Sequence, residues 1–343
     1  MVVIKRILII LITLVFLFIS IACYVLDKSP VAIDSIPIVV TDQAGRVITI
    51  EAPTQRIVSG YYISTSTCLA LGLSDKLVGI EARAETRPIY ALAQPELLDL
   101  PSVGTARDFN IEACIALNPD LVILPFRLRD VAETLDEMGI SVIIVNPESF
   151  DKMLEMIKLI GEVTGANTRS EQLIEWIKIG QSFINEQTAT LLHKPSIYFA
   201  AVSSYLMTAP NDMFQAELIT IAGGLNAAAD IKGNGWTEIS YEQLLVKNPD
   251  IIVIASEASY TIDDILNDPI LSELNAVQNN LVFHVPSFIE AWDSPIPASI
   301  FGIKWLFEII LQYNNMSIDD LINMIPELDF ERFYHEFYDV ELD

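Results

Sequence analysis

An internal repeat constrains the fold of this chain more than any other sequence feature. Residues 110–123 read Asn-Ile-Glu-Ala-Cys-Ile-Ala-Leu-Asn-Pro-Asp-Leu-Val-Ile, and residues 240–253 read Ser-Tyr-Glu-Gln-Leu-Leu-Val-Lys-Asn-Pro-Asp-Ile-Ile-Val. In each copy a glutamate, Glu112 or Glu242, stands six residues before an Asn-Pro-Asp turn that opens an aliphatic strand. The pattern predicts the same helix, turn and strand twice, and therefore two lobes of equivalent topology.

Local physical chemistry supports the same reading of both copies. Asn110 and Ser240 can each cap a short helix, because their side-chain oxygens accept hydrogen bonds from backbone N–H groups of the first turn. The two glutamates then fall near the positive end of the helix dipole. Pro119 and Pro249 end the helices, since proline cannot continue one.

Helical and short apolar segments alternate around each copy of the repeat. A hairpin is predicted over residues 38–50, and a second set of segments runs from Ser196 to about Phe283. The segments predicted in the first set are helices near 65–71, 111–117 and 129–138 and strands at 77–80, 120–125 and 141–145. Strands interleaved with helices of this length indicate βα units on a mostly parallel sheet.

The predicted fold is α/β, with two Rossmann-like lobes, mostly parallel sheets and a ligand cleft between the lobes. One long helix joins them, because Ser170 to Leu192 holds neither proline nor, apart from Gly180, glycine. The predicted divisions are a signal peptide at 1–22, a tether at 23–37, an N-terminal lobe at 38–166, a linker helix at 167–193 and a C-terminal lobe at 194–343.

The amino terminus predicts export. Lys5 and Arg6 precede the uncharged, mostly aliphatic stretch from Ile7 to Leu26, and small residues precede Cys23. This arrangement is typical of a lipoprotein signal peptide, with the lipid on Cys23 holding the chain at the outer face of the membrane. An uncleaved membrane anchor is the alternative, since twenty apolar residues are enough to span a bilayer.

Composition excludes some functions. With 20 Lys and Arg against 46 Asp and Glu, the net charge of −26 excludes a general nucleic-acid binder, because nothing would offset repulsion from phosphates. The other cysteines, Cys68 and Cys114, are predicted to be two buried thiols, although a disulfide between them stays open. The histidines, only three in number, lie far apart in sequence.

The chain resembles a class III solute-binding protein of an ABC importer, the group that delivers iron–siderophore complexes, haem or cobalamin to a permease. The similarity runs from about Val39 to Val285. The residues that carry it are Asp42-Gln43-Ala44-Gly45-Arg46, Arg56-Ile57-Val58, the two Asn-Pro-Asp turns, Ala222-Gly223-Gly224-Leu225-Asn226 and Trp292-Asp293-Ser294-Pro295. The resemblance implies an extracytoplasmic monomer that works with the permease directly and with the ATPase indirectly. It also implies that Glu112 and Glu242 dock onto permease arginines.

The resemblance and the predicted strand ends together give candidate ligand-binding residues. Carboxyl ends of parallel strands face the ligand crevice, arginine pairs with carboxylates of a chelate, and aromatic rings supply flat contact. The candidates are Trp236, Arg83, Arg107, Tyr61, Tyr62, Tyr205 and Trp292. We expect no resident cofactor, and the expected ligand is a ferric siderophore chelate, with haem or a corrinoid as alternatives.

Other classes of function have weaker support. A bare zinc or manganese site needs converging His and carboxylate ligands, and His193, His284 and His335 are too widely spaced in sequence to indicate one. No catalytic motif favours an enzyme. Gly223-Gly224 could be mistaken for a phosphate-binding loop, but the pair follows a helix and is read as its cap. A surface adhesion protein is the third class. It would use the aromatic tail stripe over 330–338, which is more typical of packing against the chain's own lobe.

Overall fold

The described part of the chain opens with an antiparallel hairpin. The computed structural model describes residues 37–51, 54–316 and 325–342. Strand β1 (Ile38–Thr41) pairs with β2 (Val47–Ile50). The Asp42 carboxylate accepts hydrogen bonds from the backbone N–H groups of Ala44 and Arg46, at 3.0 and 2.9 Å, and ion-pairs with the Arg46 guanidinium at 2.8 Å. This motif therefore shapes the predicted hairpin turn.

The first lobe is built on a four-stranded, fully parallel sheet in the order β4-β3-β5-β6. Its strands are β3 (Ile57–Ser59), β4 (Leu77–Gly79), β5 (Leu121–Pro125) and β6 (Val142–Val145). Its helices are α1 (Tyr62–Ala70), α2 (Pro88–Ala93), α3 (Ile111–Ala116), α4 (Arg129–Glu137) and α5 (Phe150–Thr164). Strands β5 and β6 are buried throughout, as expected for a parallel sheet covered on both faces.

A long helix, α6 (Asn167–Thr188), follows the first lobe. It confirms the predicted linker helix but ends before Leu192, so His193 lies in the connection to the second lobe rather than at the helix end. Trp176 on this helix stacks edge-on against Phe337 at 5.5 Å, and Gly180 lies against Ile300. The helix is thus fixed to the C-terminal part of the chain as well as to the first lobe.

The second lobe has a mixed, mostly parallel sheet. The order is β10-β8-β7-β11-β12, with β9 also paired to β7. Its strands are β7 (Ser196–Ala200), β8 (Met207–Thr208), β9 (Leu225–Asn226), β10 (Thr237–Glu238), β11 (Ile251–Ile254) and β12 (Val282–His284). Its helices are α7 (Phe214–Ile221), α8 (Tyr241–Lys247), α9 (Ile262–Leu266), α10 (Asn275–Gln278), α11 (Ser299–Tyr313) and α12 (Phe330–Tyr338). Within this sheet, only the pairs β7–β8 and β8–β10 are antiparallel among the strands described.

The internal repeat is confirmed in three dimensions. Asn110 and Ser240 cap α3 and α8, accepting bonds from backbone N–H groups at 2.9 and 3.2 Å. After each helix an asparagine, Asn118 or Asn248, adopts a left-handed conformation with φ of 53° or 39°. These asparagines redirect the chain into β5 and β11, which each have a neighbour on both sides in their sheets.

The predicted cap at Gly223-Gly224 is also confirmed. Helix α7 ends at Ile221, and Gly223 takes a φ of +94°. The backbone N–H of its neighbour Gly224 donates a hydrogen bond of 2.9 Å to the Ile219 carbonyl. The pair therefore closes a helix.

The aromatic tail helix α12 is core, as predicted, but it does not pack on the second lobe alone. Four of its rings are buried. The Tyr338 hydroxyl lies 3.2 Å from Ser66 on first-lobe helix α1, and Arg169 of α6 donates to the Glu336 carbonyl at 2.9 Å. Its Phe333 ring also packs against Phe301 of α11, with centres 5.1 Å apart, so the tail helix contacts both lobes and the linker.

The two described cysteines are free and buried, as predicted. Burial, with a smaller effect of the nearby Glu81 charge, raises the pKa of Cys68 to about 12. Among the helices described, none is both long and apolar enough to cross a membrane. The predicted signal segment and Cys23 lie outside the described residues.

Candidate functional site

A cavity of about 230 Å³ lies between the two lobes. First-lobe residues reach it from α1 and from the start of α2, and second-lobe residues reach it from the segments after β11 and β12. The described lining consists of Tyr62, Ser66, Thr86, Arg87, Pro88, Ile89, Tyr90, Ser256, Glu257, Ser287, Ile289, Glu290, Ala291 and Ile296. It therefore lies where carboxyl ends of parallel strands from both sheets meet, the usual position of a ligand crevice.

Arg87 is the one basic side chain among these lining residues. Its guanidinium carbon stands 4.2 Å from the centre of the Tyr62 ring, a cation–π arrangement, and its Nη1 atom lies 2.5 Å from Glu257 Oε1. The Tyr62 hydroxyl donates to Ser294 Oγ at 2.8 Å, so the ring is held from the second lobe. The site therefore offers an oriented guanidinium backed by an aromatic face.

A buried carboxyl, Glu290, forms another part of the wall. It accepts hydrogen bonds from Ser66 Oγ at 2.6 Å and from the Tyr334 hydroxyl at 3.0 Å. Burial raises the pKa of Glu290 from its usual 4.5 to about 7, although these hydrogen bonds and the Arg87 charge act in the opposite direction. The Glu290 carboxyl thus links the cavity wall to first-lobe helix α1 and to the tail helix α12.

A second buried acid supports the first-lobe side. Glu81 accepts hydrogen bonds of 2.6 Å from Thr65 Oγ1 and from the Tyr90 hydroxyl. Burial raises the pKa of Glu81, and burial together with the Glu81 charge raises the pKa of Tyr90 well above its usual value. Tyr90 lines the cavity, so this network fixes the ring in position.

Of the residues predicted to bind ligand, Tyr62 lines this cavity. Its neighbour Tyr61 packs edge-on against it with ring centres 5.4 Å apart. Burial raises the pKa of Tyr61, the Tyr62 and Glu148 charges raise it further, and the Arg127 charge lowers it. Tyr61 therefore belongs to an adjoining part of the same strand-end surface, next to the loops that follow β5 and β6.

Arg83 and Arg107 lie outside the cavity lining but at one end of the first sheet. The segments that precede them are joined by the Ala82 N–H, which donates to the Gly104 carbonyl at 2.7 Å. Both arginines are exposed, and neither side chain has an ion pair within the part of the chain described. Gly104 has a φ of +90°, and a Cβ there would stand 2.2 Å from the Asp108 carbonyl oxygen, so the tight turn carrying Arg107 requires glycine.

The second-lobe candidates are spread over several environments outside the cavity lining. Trp236 is half-buried beside the sheet, 6.2 Å from the Phe199 ring. The Tyr205 hydroxyl donates to Asp268 at 2.9 Å, close to the start of α8. Their contact with ligand stays a prediction.

Trp292 is a different case, because the structure makes it a core residue. It is 6% exposed, and its indole N–H donates to the Tyr334 hydroxyl at 3.1 Å. Its ring packs against Phe301 with centres 5.7 Å apart. Trp292 therefore lies behind the cavity wall, because its neighbours Glu290 and Ala291 form the surface. Its direct contact with ligand stays a prediction.

Sequence reasoning missed Arg87, Glu257 and Glu290. Arg87 carries a detectable signal, since it shares a short segment with Arg83 and precedes the proline that opens α2. Glu257 and Glu290 carry no such sequence signal, because nothing in their local sequence distinguishes them among 46 acidic residues.

Glu112 and Glu242 lie outside the cavity lining, on the exposed first turns of α3 and α8. A hydrogen bond involving Ser240 and another with its own backbone N–H lower the pKa of Glu242, so it is ionised at neutral pH. Two exposed carboxylates at equivalent positions can form charge-assisted hydrogen bonds with a basic partner.

The described residues contain no group of three or more His, Cys, Asp and Glu side chains placed to hold a metal ion. His284 ends β12, and His335 lies on α12, where its Nε2 atom is 3.2 Å from a Glu341 oxygen.

Comparison with known proteins defines the class. The family model described as periplasmic binding protein matches residues 57–288, so the chain belongs to the periplasmic binding protein family. It is similar to the uncharacterised ABC transporter substrate-binding lipoprotein YvrC of Bacillus subtilis, at 29% identity over 282 residues, covering 80% of this chain and 85% of the relative. A periplasmic solute-binding protein of Veillonella parvula superposes with a TM-score of 0.76 at 29% identity, covering 89% and 94% of the two chains.

A third relative is the molybdate-binding protein MolA of Haemophilus influenzae. It is 22% identical over 327 residues, covering 88% of this chain and 92% of MolA. The structure of MolA bound to molybdate has a TM-score of 0.76 at 20% identity, covering 89% of this chain and 99% of MolA, which shows the shared two-lobed fold.

These findings establish the general role. The chain is an extracytoplasmic substrate-binding component of an ABC importer, not an enzyme. Such proteins bind a small ligand and work with permease and ATPase components. The resemblance seen in the sequence is thereby confirmed.

Proposed function

We propose that this chain captures an anionic metal chelate, a ferric siderophore as the first choice, and delivers it to the permease while tethered by a lipid on Cys23. The observation that carries the ligand class is Arg87 stacked on Tyr62 inside the cavity between the lobes. A guanidinium presents planar hydrogen-bond donors that match carboxylate, catecholate or hydroxamate oxygens.

The surrounding surface supports an anionic ligand larger than the cavity. Arg83 and Arg127 are exposed on first-lobe segments that follow β4 and β5, and Arg107 is exposed in the turn before α3. None of the three has an ion pair within the residues described. In a chain of net charge −26, arginines gathered at this end of the sheet favour an anionic guest. Tyr61 adds an aromatic face beside them. A chelate could rest on this outer surface and reach Arg87 with one anionic group.

The size of the cavity favours a second candidate, a compact oxyanion. A volume of about 230 Å³ suits a small polar group better than a whole siderophore, which would have to occupy the open cleft as well. The relative MolA binds molybdate. Haem and cobalamin remain alternatives within the same family, and the following titration separates all four.

The test is a binding titration of a soluble form that begins at residue 27, read by quenching of tryptophan fluorescence. The panel comprises ferric citrate, a ferric tricatecholate, a neutral ferric trihydroxamate, molybdate, haem and cyanocobalamin. We expect saturable binding of an anionic ferric chelate. Saturable binding of molybdate alone would select the second candidate, and binding of haem or cyanocobalamin alone would remove both.

Two variants connect the binding to named residues. Arg87→Gln should weaken binding of the anionic chelate by about 2 kcal/mol, the scale of a charge-assisted hydrogen bond, whereas Lys178→Gln on the exposed face of α6 removes the same charge without effect. Trp236→Ala should weaken binding by about 1–3 kcal/mol if the indole stacks on the ligand. Unchanged affinity in Arg87→Gln would contradict the proposed role of the cavity.

Membrane tethering has its own test. Cys23→Ala should abolish incorporation of labelled lipid and release the protein from the membrane. The reason is that, once the signal peptide is cleaved, the lipid on Cys23 is the only predicted attachment of the chain to the membrane. A variant that stays membrane-bound without lipid would show that the apolar segment is an uncleaved anchor.

A further inference from the structure

We propose that Glu257 is a displaceable counter-ion that competes with the anionic group of the ligand for Arg87. The inference rests on the proposed function, because it takes the ligand to be anionic. Glu257 Oε1 lies 2.5 Å from Arg87 Nη1, so a carboxylate already occupies a donor position on the only basic side chain in the described cavity lining. A carboxylate of a chelate would need that same position.

The two partners come from different lobes. Arg87 precedes first-lobe helix α2, and Glu257 follows second-lobe strand β11. The backbone next to Glu257 is fixed, because Ser256 donates through its N–H and its hydroxyl to the buried Asp293 carboxylate, at 3.1 and 2.5 Å. The Glu257 side chain can therefore leave Arg87 by rotating about its own bonds, without movement of the strand.

Exposure of the two side chains makes the exchange feasible. The Glu257 side chain is 46% exposed and can be rehydrated when it is released, whereas the Arg87 side chain is 22% exposed and stays stacked on Tyr62. An uncompensated, half-buried guanidinium is unfavourable, so Arg87 exchanges one anion for another and does not stand alone. The other acid of the lining, Glu290, is engaged by Ser66 and Tyr334.

The exchange makes Glu257 a specificity determinant. An anionic group replaces the carboxylate and leaves Arg87 paired, so only the contact with Glu257 is lost. A neutral group cannot compensate the guanidinium charge and therefore leaves the Arg87–Glu257 pair in place. Removing the Glu257 charge should accordingly tighten binding of anionic ligands and leave neutral ligands unaffected.

The experiment compares wild type, Glu257→Gln and the matched control Glu85→Gln by isothermal titration with ferric citrate and with a neutral ferric trihydroxamate. Glu85 is exposed, lies two residues from Arg87 and has no ion pair within the described chain, so it reports the general effect of losing one negative charge. For ferric citrate, Glu257→Gln should bind about two- to five-fold tighter than wild type, the range for a partly exposed ion pair. Glu85→Gln should resemble wild type.

Each outcome is decisive. Ferric citrate binding that tightens in Glu257→Gln but not in Glu85→Gln, with the neutral chelate unchanged, supports the counter-ion. Equal ferric citrate affinity in wild type and Glu257→Gln, equal gains in both variants, or a comparable gain for the neutral chelate overturns the counter-ion and leaves the proposed ligand class standing. If only the ferric tricatecholate of the panel binds wild type, the same comparison is made with it. Failure of both ferric citrate and the ferric tricatecholate to bind wild type, or binding of the neutral chelate alone, removes the anionic ferric ligand itself and the counter-ion with it.

Discussion

The buried carboxyl Glu290 makes the stability of the protein depend on pH in a calculable way. Burial raises its pKa in the folded chain from 4.5 to about 7, so the folded state holds a proton that the unfolded state has released. The contribution of Glu290 to the free energy of unfolding is therefore present at low pH and is lost as the pH rises from 4.5 through about 7. The full rise in the pKa of Glu290 corresponds to about 3 kcal/mol in the free energy of unfolding, of which about 2–3 kcal/mol is lost between pH 5 and pH 8.

Glu290→Gln isolates this effect. The amide offers one acceptor and one donor group, as the protonated carboxyl does, so Ser66 and Tyr334 keep hydrogen-bonding partners. Relative to wild type, the variant should gain about 2–3 kcal/mol in free energy of unfolding between pH 5 and pH 8. Urea denaturation across this range measures the difference, and the other buried acids cancel because both proteins contain them.

Glu336→Gln, on the exposed face of the tail helix that carries Tyr334, is the matched control and should follow the wild-type curve. A constant difference between Glu290→Gln and wild type at every pH would refute the reasoning. It would mean that Glu290 is ionised throughout, with the Arg87 charge and the hydrogen bonds outweighing burial.

Further predictions concern the arginine turn and the docking surface. Gly104→Ala should destabilise the protein by about 2–4 kcal/mol in urea denaturation, because its Cβ would meet the Asp108 carbonyl oxygen at 2.2 Å. The control Gly139→Ala has a similar φ but open space around the added Cβ, so it should cost about 1 kcal/mol. Equal losses of stability in the two variants would contradict the clash. Replacing Glu112 and Glu242 together by Arg should stop uptake of labelled ligand and leave ligand affinity within a few-fold. Loss of affinity would place these acids in the cleft or the structure.

The fold was largely predictable because its signals are local and repeated. Each Asn-Pro-Asp turn marks the start of a buried strand, and the capping residues Asn110 and Ser240 mark the helix before it. The end of α6 was placed too late because the sequence up to Leu192 contains no helix-breaking residue. The position of the tail helix was not predictable, because an apolar stripe does not say which surface it covers.

The site was less predictable because it depends on contacts between distant segments. Arg87 and Glu257 are separated by 170 positions and meet only when the lobes assemble. Glu290 lies between helix α1 and the tail helix, and its burial follows from that packing alone. Trp292 shows the converse, since an aromatic residue in a family motif proves to be core. Composition and spacing identify residue types suited to a ligand, and tertiary packing decides which of them face it.

Anomalous diffraction from crystals of the protein with its tightest-binding ferric chelate locates the bound iron relative to Arg87. We expect an iron peak at the mouth of the cavity between the lobes, with an oxygen of the chelate at hydrogen-bonding distance from the Arg87 guanidinium and Glu257 released from it. An iron peak away from the cavity mouth and the arginine surface beside it, or one at the cavity mouth with no chelate oxygen near Arg87, would contradict the proposed role of Arg87.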